Sequence, residues 1–349
     1  MAIYIDIKKK LEDFSIELRL EGSSGRIGIL GASGCGKSMT LKMLAGIETP
    51  KEGRIRIGDR VLFDSVNGIN IIPQQRKVGY LFQNYALFPT MTVEQNIAAG
   101  LRGRREEKKK KVREMVERFG LTGLEKRMPY ELSGGQQQRT ALARIMAYEP
   151  EVLLLDEPYG ALDLFLRERL QQELLEMLRG YEGTVIMVSH DRDEIYRFSD
   201  ELLVMEKGRT AIFGKCREIF DNPVKLEAAR LTGCKNISKA KLLSPYQLEA
   251  VDFGIVLHTD RRIPQDTAYV GVHAHELVPV WGEGQKNCMK VQEKSITELH
   301  FERQYHLRPE HGTGESVCWS VKREKWTELK ERGMPDYLKL PEERLLFLK

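Results

Sequence analysis

Gly31-Ala32-Ser33-Gly34-Cys35-Gly36-Lys37-Ser38 sets a lysine and a hydroxyl directly after a glycine-rich turn. The run fits G-x-x-x-x-G-K-[ST], a pattern in which successive backbone N–H groups converge on one anion. Side chains at the glycines would bar that approach, and the turn needs backbone angles that favour glycine. Before the loop, Ile27–Leu30 reads as a strand; after it, Thr40, Leu41, Met43 and Leu44 begin a helical pattern that stops at Gly46. A helix N-terminus adds its partial positive charge at the same point. Lys37 would then neutralise β- and γ-phosphates, and the Ser38 hydroxyl would ligate Mg²⁺. The segment expected to contact phosphate runs from Gly31 through Met39. Taken alone, the loop also reads as a chance glycine-rich turn.

A second group of residues narrows the choice. Val152-Leu153-Leu154-Leu155-Asp156-Glu157 is an apolar strand ending in two acids. Asp156 is placed to complete the Mg²⁺ shell opposite Ser38. Glu157, one residue further, can polarise a water for in-line attack on a γ-phosphate. The alternative is a turn whose acid caps the next helix. Gln83 closes Val78-Gly79-Tyr80-Leu81-Phe82, and His190 follows Val185-Ile186-Met187-Val188-Ser189. Each alone reads as an ordinary polar residue at a strand end. On a third parallel strand beside the loop, however, His190 would donate to the γ-phosphate and orient both the water and Glu157. Ser133-Gly134-Gly135-Gln136, after Leu132, opens the helical run Gln137–Ala143 and so offers a second helix N-terminus suited to an anion. The chain therefore offers two phosphate-binding helix ends for one triphosphate.

These residues need a parallel sheet to position them. Ile27–Leu30, Val152–Leu155 and Thr184–Val188 are short, nearly continuous apolar runs, as expected of strands covered on both faces. Asp156 falls at a carboxyl end, where open α/β sheets hold ligands. In Asp163–Arg179 the leucines at 164, 170, 174, 175 and 178 favour one helix face, with Asp163 as N-cap and Gly180 as C-cap. Residues 84–149 read as a helical subdomain inserted into this sheet domain. Its basic run Arg102–Arg113 also holds Glu106 and Glu107, and reads as a solvated face or as a surface steering anions.

The expected division is a domain of residues 1–230 and a β-rich one of residues 231–349, of barrel type. Gln247–Leu257, Ala268–Val280, Met289–Phe301 and Glu315–Arg323 alternate like antiparallel strands, with Gly282, Gly284, Pro309, Gly312 and Gly314 between or within them. His273 and His275 would share one strand face, as a structural pair or as metal ligands.

A length of 349 residues allows about two cores. A formal charge of +4 gives little electrostatic support for a nucleic-acid partner. No apolar run approaches the roughly 18 residues of a membrane helix, and no N-terminal signal is expected. Five scattered cysteines without C-x-x-C spacing read as reduced thiols of a cytosolic protein.

Loop 31–38, Gln83, Leu132–Gln136, Asp156-Glu157, Gly160-Ala161-Leu162-Asp163 and His190 stand in an order and spacing that resemble the ATP-binding cassette (ABC) ATPases over nearly all of residues 1–230. The resemblance implies a P-loop NTPase cassette, a RecA-like core with an inserted helical subdomain, that binds and hydrolyses ATP with Mg²⁺. It implies that Gln83 touches Mg²⁺ and reports to membrane subunits. It further implies that Ser133, Gly134, Gly135 and Gln136 cap the γ-phosphate held by a second copy, and that Asp163 couples the two sites. Adenine in this family stacks on an early aromatic residue. Phe14 is favoured over Tyr4 here, with a core role open for both.

Asn84–Pro89, Pro158–Asp163 and a β-rich domain after one cassette resemble ATPase subunits of bacterial importers. Thr232–Asn236 and Val270–Glu276 resemble the OB/TOBE-like region of molybdate and sulfate importers, although His273 stands where that strand usually has Arg. A short N-terminus and Ile71–Arg76 favour the molybdate branch. The implied partners are integral-membrane permease subunits, a second copy and, indirectly, a periplasmic or extracellular solute-binding protein. The implied place is the cytoplasmic face of the cell membrane. Rival readings are an importer of another solute such as sulfate or tungstate, a soluble cassette acting on ribosomes or DNA, and an anion-storage module at 233–349. The oxyanion-sensing stretch Ser-Ala-Arg-Asn is absent from the sequence.

Overall fold

The computed structural model describes residues 2–11, 14–23, 25–160, 164–313 and 316–349. It divides into two compact units, Met1–Arg217 and Glu218–Lys349.

In the first unit the chain begins with β1 (Ile3–Lys10), β2 (Ser15–Gly22) and β3 (Arg26–Gly31), then α1 (Lys37–Ala45). β4 (Glu52–Ile57), β5 (Arg60–Asp64), β6 (Ile69–Asn70) and β7 (Val78–Leu81) follow. Residues 84–149, expected to be a helical insertion, hold α2 (Val93–Ala98), α3 (Arg105–Arg118) and α4 (Gly134–Met146). The chain returns through β8 (Val152–Asp156), α5 (Leu164–Met177), β9 (Thr184–Ser189), α6 (Arg192–Phe198), β10 (Glu201–Glu206) and β11 (Arg209–Lys215). The N-cap expected at Asp163 lies outside the described residues. Past α5, Gly180 has φ +74°.

All eleven strands share one sheet, in the order β6-β5-β4-β1-β2-β11-β10-β3-β9-β8-β7. The block β10-β3-β9-β8-β7 is parallel throughout. Its residues are the continuous apolar runs of the sequence, and β8 and β9 are buried along their whole length. Ile27, Ile29, Leu154, Ile186 and Val188 join Leu41, Met43 and Leu44 of α1 in one core. Burial of each such side chain stabilises by about 1.5–3 kcal/mol.

The C-terminal end of α1 is held by a buried arginine. Arg76 Nη1 donates to the Met43 and Leu44 carbonyls, each at 2.9 Å, and Nε donates to Ile71 O at 2.7 Å. These bonds satisfy carbonyls that a helix end leaves open. Burial lowers the guanidinium pKa to about 10.

The second unit starts within α7 (Cys216–Asp221) and includes α8 (Leu226–Leu231). Residues 218–230, which the sequence assigns to the first domain, group with the C-terminus for a visible reason. Leu226 N donates to Lys349 O, Lys349 N donates to Val224 O, and Ala229 packs with Cys234, Leu346 and Leu348.

The strands of this unit are β12 (Asn236–Ser244), β13 (Gln247–Ala250), β14 (Ile255–His258), β15 (Tyr269–Val272) and β16 (Val278–Val280). They continue with β17 (Cys288–Glu298), β18 (Glu302–Pro309) and β19 (Val317–Lys322). After α9 (Trp326–Arg332) come β20 (Tyr337–Lys339) and β21 (Leu346–Leu348). They form two five-stranded antiparallel sheets, β14-β13-β12-β15-β21 and β16-β20-β17-β18-β19, over one core containing Leu248, Val270, Leu307 and Trp319.

Two expected strands divide in the structure. Gln247–Leu257 is the hairpin β13–β14, because Gly254 turns with φ +68°, where a Cβ would strike the His311 backbone at 2.3 Å. Ala268–Val280 is β15 and β16, which belong to different sheets. His273 and His275 therefore sit in the intervening turn and not on a strand, with rings 5.6 Å apart. Among the described residues no group of three His, Cys, Asp or Glu side chains is placed to hold a metal ion.

Candidate active site

β3, β9, β8 and β7 are consecutive in the sheet and run the same way. Their carboxyl ends therefore present the glycine loop, His190, Asp156-Glu157 and Gln83 along one edge, where open parallel sheets place ligands.

The loop after β3 turns at Gly34 (φ +78°) and Gly36 (φ +104°). Gly36 is favoured by its angle, and a Cβ there would press on Ile16 at 3.1 Å and on the Phe14 ring at 3.2 Å. α1 starts there with no side-chain cap and no acid in its first turn. Its first N–H groups are thus donors for an anion, reinforced by the helix dipole. Lys37 is 5% exposed and donates from Nζ to Gly31 O (2.8 Å) and Ala32 O (3.0 Å), which holds the ammonium over the loop. Cys35 is buried against the loop.

Ser38 Oγ donates to Asp156 Oδ1 at 2.8 Å. The other carboxylate oxygen accepts from the Tyr80 hydroxyl, also at 2.8 Å. Tyr80 is not among the residues the sequence nominates. Its signal is an aromatic oxygen inside an apolar strand that runs beside the acid-bearing one. Burial first, and then the Asp156 charge, push the Tyr80 phenol pKa up, so it remains a donor. A carboxylate and a hydroxyl, both hard oxygen donors, fit a Mg²⁺ that takes the rest of its shell from phosphate and water.

Glu157 leaves β8 with φ +45°, uncommon for a residue with a side chain. Its N–H donates to Val188 O at 3.0 Å. The carboxylate then meets two other nominated residues at one oxygen. Oε2 is 3.5 Å from Gln83 Nε2 and 3.4 Å from His190 Nδ1. Beneath His190, Ser189 Oγ donates to Glu194 at 2.6 Å, and Asp191 caps α6 by accepting from the N–H groups of Asp193 and Glu194. Burial raises the Glu194 pKa.

No hydrogen bond among the described residues joins Ser133, Gly134, Gly135 or Gln136 to the loop. Ser133 and Gln136 bond reciprocally as a capping box at the start of α4. Ser133 is exposed. Phe14 is half-buried against the sheet core and beside Gly36. Tyr4 lies on β1 with its hydroxyl 3.5 Å from Asp6. Asp163 is outside the described residues.

The family description "ABC transporter" matches residues 15–160. A sulfate/thiosulfate import ATP-binding protein of Thermosynechococcus vestitus is 35% identical over 318 residues, 86% of this chain and 92% of that protein. The chain belongs to the ABC transporter ATP-binding family. An Fe(3+) ions import ATP-binding protein of Haemophilus influenzae is 41% identical over 218 residues, and the match spans 62% of each protein's length. Among solved structures, a dimeric ATP-binding cassette in a post-hydrolysis state with ADP and Pi superposes with a TM-score of 0.52 at 28% identity. That match covers 62% of this chain and 99% of the solved one. The cassette expected from the sequence is thereby borne out, and the chain also holds the two further β-sheets described above. No helix among the described residues is long and apolar enough to cross a membrane.

Proposed function

We propose that this cassette is the MgATP-hydrolysing subunit of an importer, and that its solute is molybdate or a related oxyanion. The observation that carries the hydrolytic part is the meeting of Gln83, His190 and Glu157 next to the Ser38–Asp156 pair. Lys37 and the N–H groups from Gly31 to Met39 bind the phosphates. Ser38, Asp156 and Gln83 hold Mg²⁺, which when bound screens the phosphate charge. Glu157 takes the proton of the attacking water, and His190 orients both. Phe14 borders the loop where a base can stack. Ser133–Gln136 cap the nucleotide of a second copy, so the working form is a head-to-tail homodimer. It docks on integral-membrane permease subunits at the cytoplasmic face of the cell membrane, and an external solute-binding protein feeds them.

The oxyanion reading is supported by the sulfate-type relative, whose match extends through most of both units. Other relatives are named for iron, polyamine and sugar import, so the solute rests on a separate test. Molybdate binding by the cognate solute-binding protein is the expected result. Sulfate binding without molybdate binding would move the assignment to sulfate.

Two substitutions test the site. Lys37→Ala removes a charge from the β/γ-phosphates, worth about 1.5–3 kcal/mol, so ATP affinity falls by about 10- to 100-fold in calorimetry. Unchanged affinity would show that the loop is not where nucleotide binds. Tyr80→Phe frees one oxygen of Asp156 from its anchor. The Mg²⁺ concentration for half-maximal hydrolysis is expected to rise about tenfold, with metal-free ATP binding unchanged. A Mg²⁺ titration that superposes on that of the native chain would reject this role for Tyr80.

A further inference from the structure

His190 stands in the turn between β9 and α6, and the residues on either side of it meet at one oxygen. Ser189 Oγ donates to Glu194 Oε2 at 2.6 Å and accepts from the Asp191 N–H at 2.9 Å. A hydroxyl has a single hydrogen, so Ser189 receives the Asp191 N–H only while that hydrogen points elsewhere. Glu194 takes it. Ser189 is 2% exposed and Glu194 6%, which leaves little room for water to stand in for either.

The other end of the Glu194 carboxylate also faces donors. Oε1 accepts from Gln171 Nε2 of α5 at 3.3 Å and lies 3.8 Å from Arg167 Nε. That Nε is buried and has no hydrogen-bond partner of its own among the described residues, so the carboxylate is its counter-charge. Arg167 Nη1 also donates to Asp191 Oδ2, at 3.4 Å. A side chain that accepts at both ends is needed here, and an ionised carboxylate is one. Burial opposes its charge by raising the Glu194 pKa, while Ser189, Arg167 and Gln171 favour the ionised form. A buried charge is costly unless it is paired and hydrogen-bonded in this way.

We propose that Glu194 is a positioning residue for hydrolysis: by fixing the Ser189 hydroxyl it sets the His190 turn, and with it the approach of His190 to Glu157. The His190 side chain is 52% exposed, so packing holds the ring weakly and its direction follows its backbone. Nδ1 lies 3.4 Å from Glu157 Oε2. Misplacement of a reacting group by about 1 Å can cost on the order of 100-fold in rate. Glu194 acts through its neighbours, because no hydrogen bond among the described residues joins it to the phosphate loop, Asp156, Glu157 or Gln83. The inference rests on the orienting role proposed above for His190.

The test uses the full chain with Glu194→Gln, Ser189→Ala and Ser189→Thr, and with Glu194→Gln combined with His190→Ala. Glutamine keeps the shape but must turn its NH2 toward a donor on one side. Glu194→Gln and Ser189→Ala are expected to lower kcat at least about tenfold with MgATP affinity within about twofold. Ser189→Thr, which keeps the hydroxyl, is expected to recover most of that loss. In the His190→Ala background Glu194→Gln should cost nothing further, because the residue it positions is gone. An unchanged kcat in Glu194→Gln would overturn the proposal, and so would an undiminished loss on top of His190→Ala. Affinity, kcat and melting temperature all falling together would overturn it too, since that marks a purely structural role. If His190→Ala leaves no measurable rate, the His190 imidazole resonance decides. It should move in Glu194→Gln and Ser189→Ala and stay in place in Ser189→Thr, and a resonance unmoved in all three overturns the proposal. If Glu194→Gln does not fold, the two Ser189 variants decide by the same criteria. Native-rate hydrolysis by His190→Ala overturns the role of His190 along with that of Glu194. An impaired His190→Ala beside an unaffected Glu194→Gln overturns the role of Glu194 alone.

Discussion

Glu157→Gln is expected to bind MgATP as the native chain does while turning it over at least about 100-fold more slowly. The amide keeps the shape of the carboxylate and can still sit between Gln83 and His190, which lie 3.5 and 3.4 Å from its Oε2. What it loses is the basic oxygen. Phosphate binding is untouched, because Lys37, Ser38 and the loop N–H groups belong to another strand end. A nucleotide that is bound but not cleaved should also hold the dimer closed. Light scattering with MgATP would then report twice the 40.1 kDa of the chain. Substantial steady-state hydrolysis by this variant would remove Glu157 from the mechanism and leave the Gln83–His190 pair without a base to orient.

Ser133→Arg is expected to keep near-normal ATP affinity and to lose both dimerisation and hydrolysis. Ser133 is exposed at the start of α4, and no hydrogen bond among the described residues joins it to the phosphate loop of its own chain. An arginine there obstructs whatever docks on that helix end and leaves the loop free. Mixing this variant with Lys37→Ala makes the sharing of sites visible. In the mixed dimer one composite site carries both lesions and the other carries neither. Activity should reappear in the mixture although each parent is inactive. Full activity of Ser133→Arg by itself would show that hydrolysis is completed within one chain, and the head-to-tail arrangement would fail.

The parallel half of the sheet was legible because strands covered on both faces have no polar alternation to confuse the reading. Val152–Asp156 and Thr184–Ser189 are buried at every position, and their ends fix where Asp156 and His190 must be. The phosphate loop was legible because Gly31, Gly34, Gly36 and Lys37 answer a backbone need that few other sequences meet. The second unit was harder. Alternation carries on through Val251–Gly254, so a hairpin looks like one strand, and in Asn236–Ser244 the buried positions are the polar Asn236 and Ser238, which give no hydrophobic signal. Tyr80 escaped for a different reason. It acts on a residue far away in sequence, and local spacing holds no trace of such a pairing.

The order of strands also sets a schedule for synthesis. β3, which launches the phosphate loop, is flanked by β9 and β10, so neither neighbour lies in the first half of the chain. As the polypeptide leaves the ribosome, the loop exists as sequence long before its frame does. ATP cannot assist folding until about residue 206 has emerged, and the cost of closing so long a stretch falls on the chain unaided. Nascent chains halted before β9 would expose the apolar edges of β3 and depend on chaperones. Those halted after β10 would be the first able to be rescued by nucleotide.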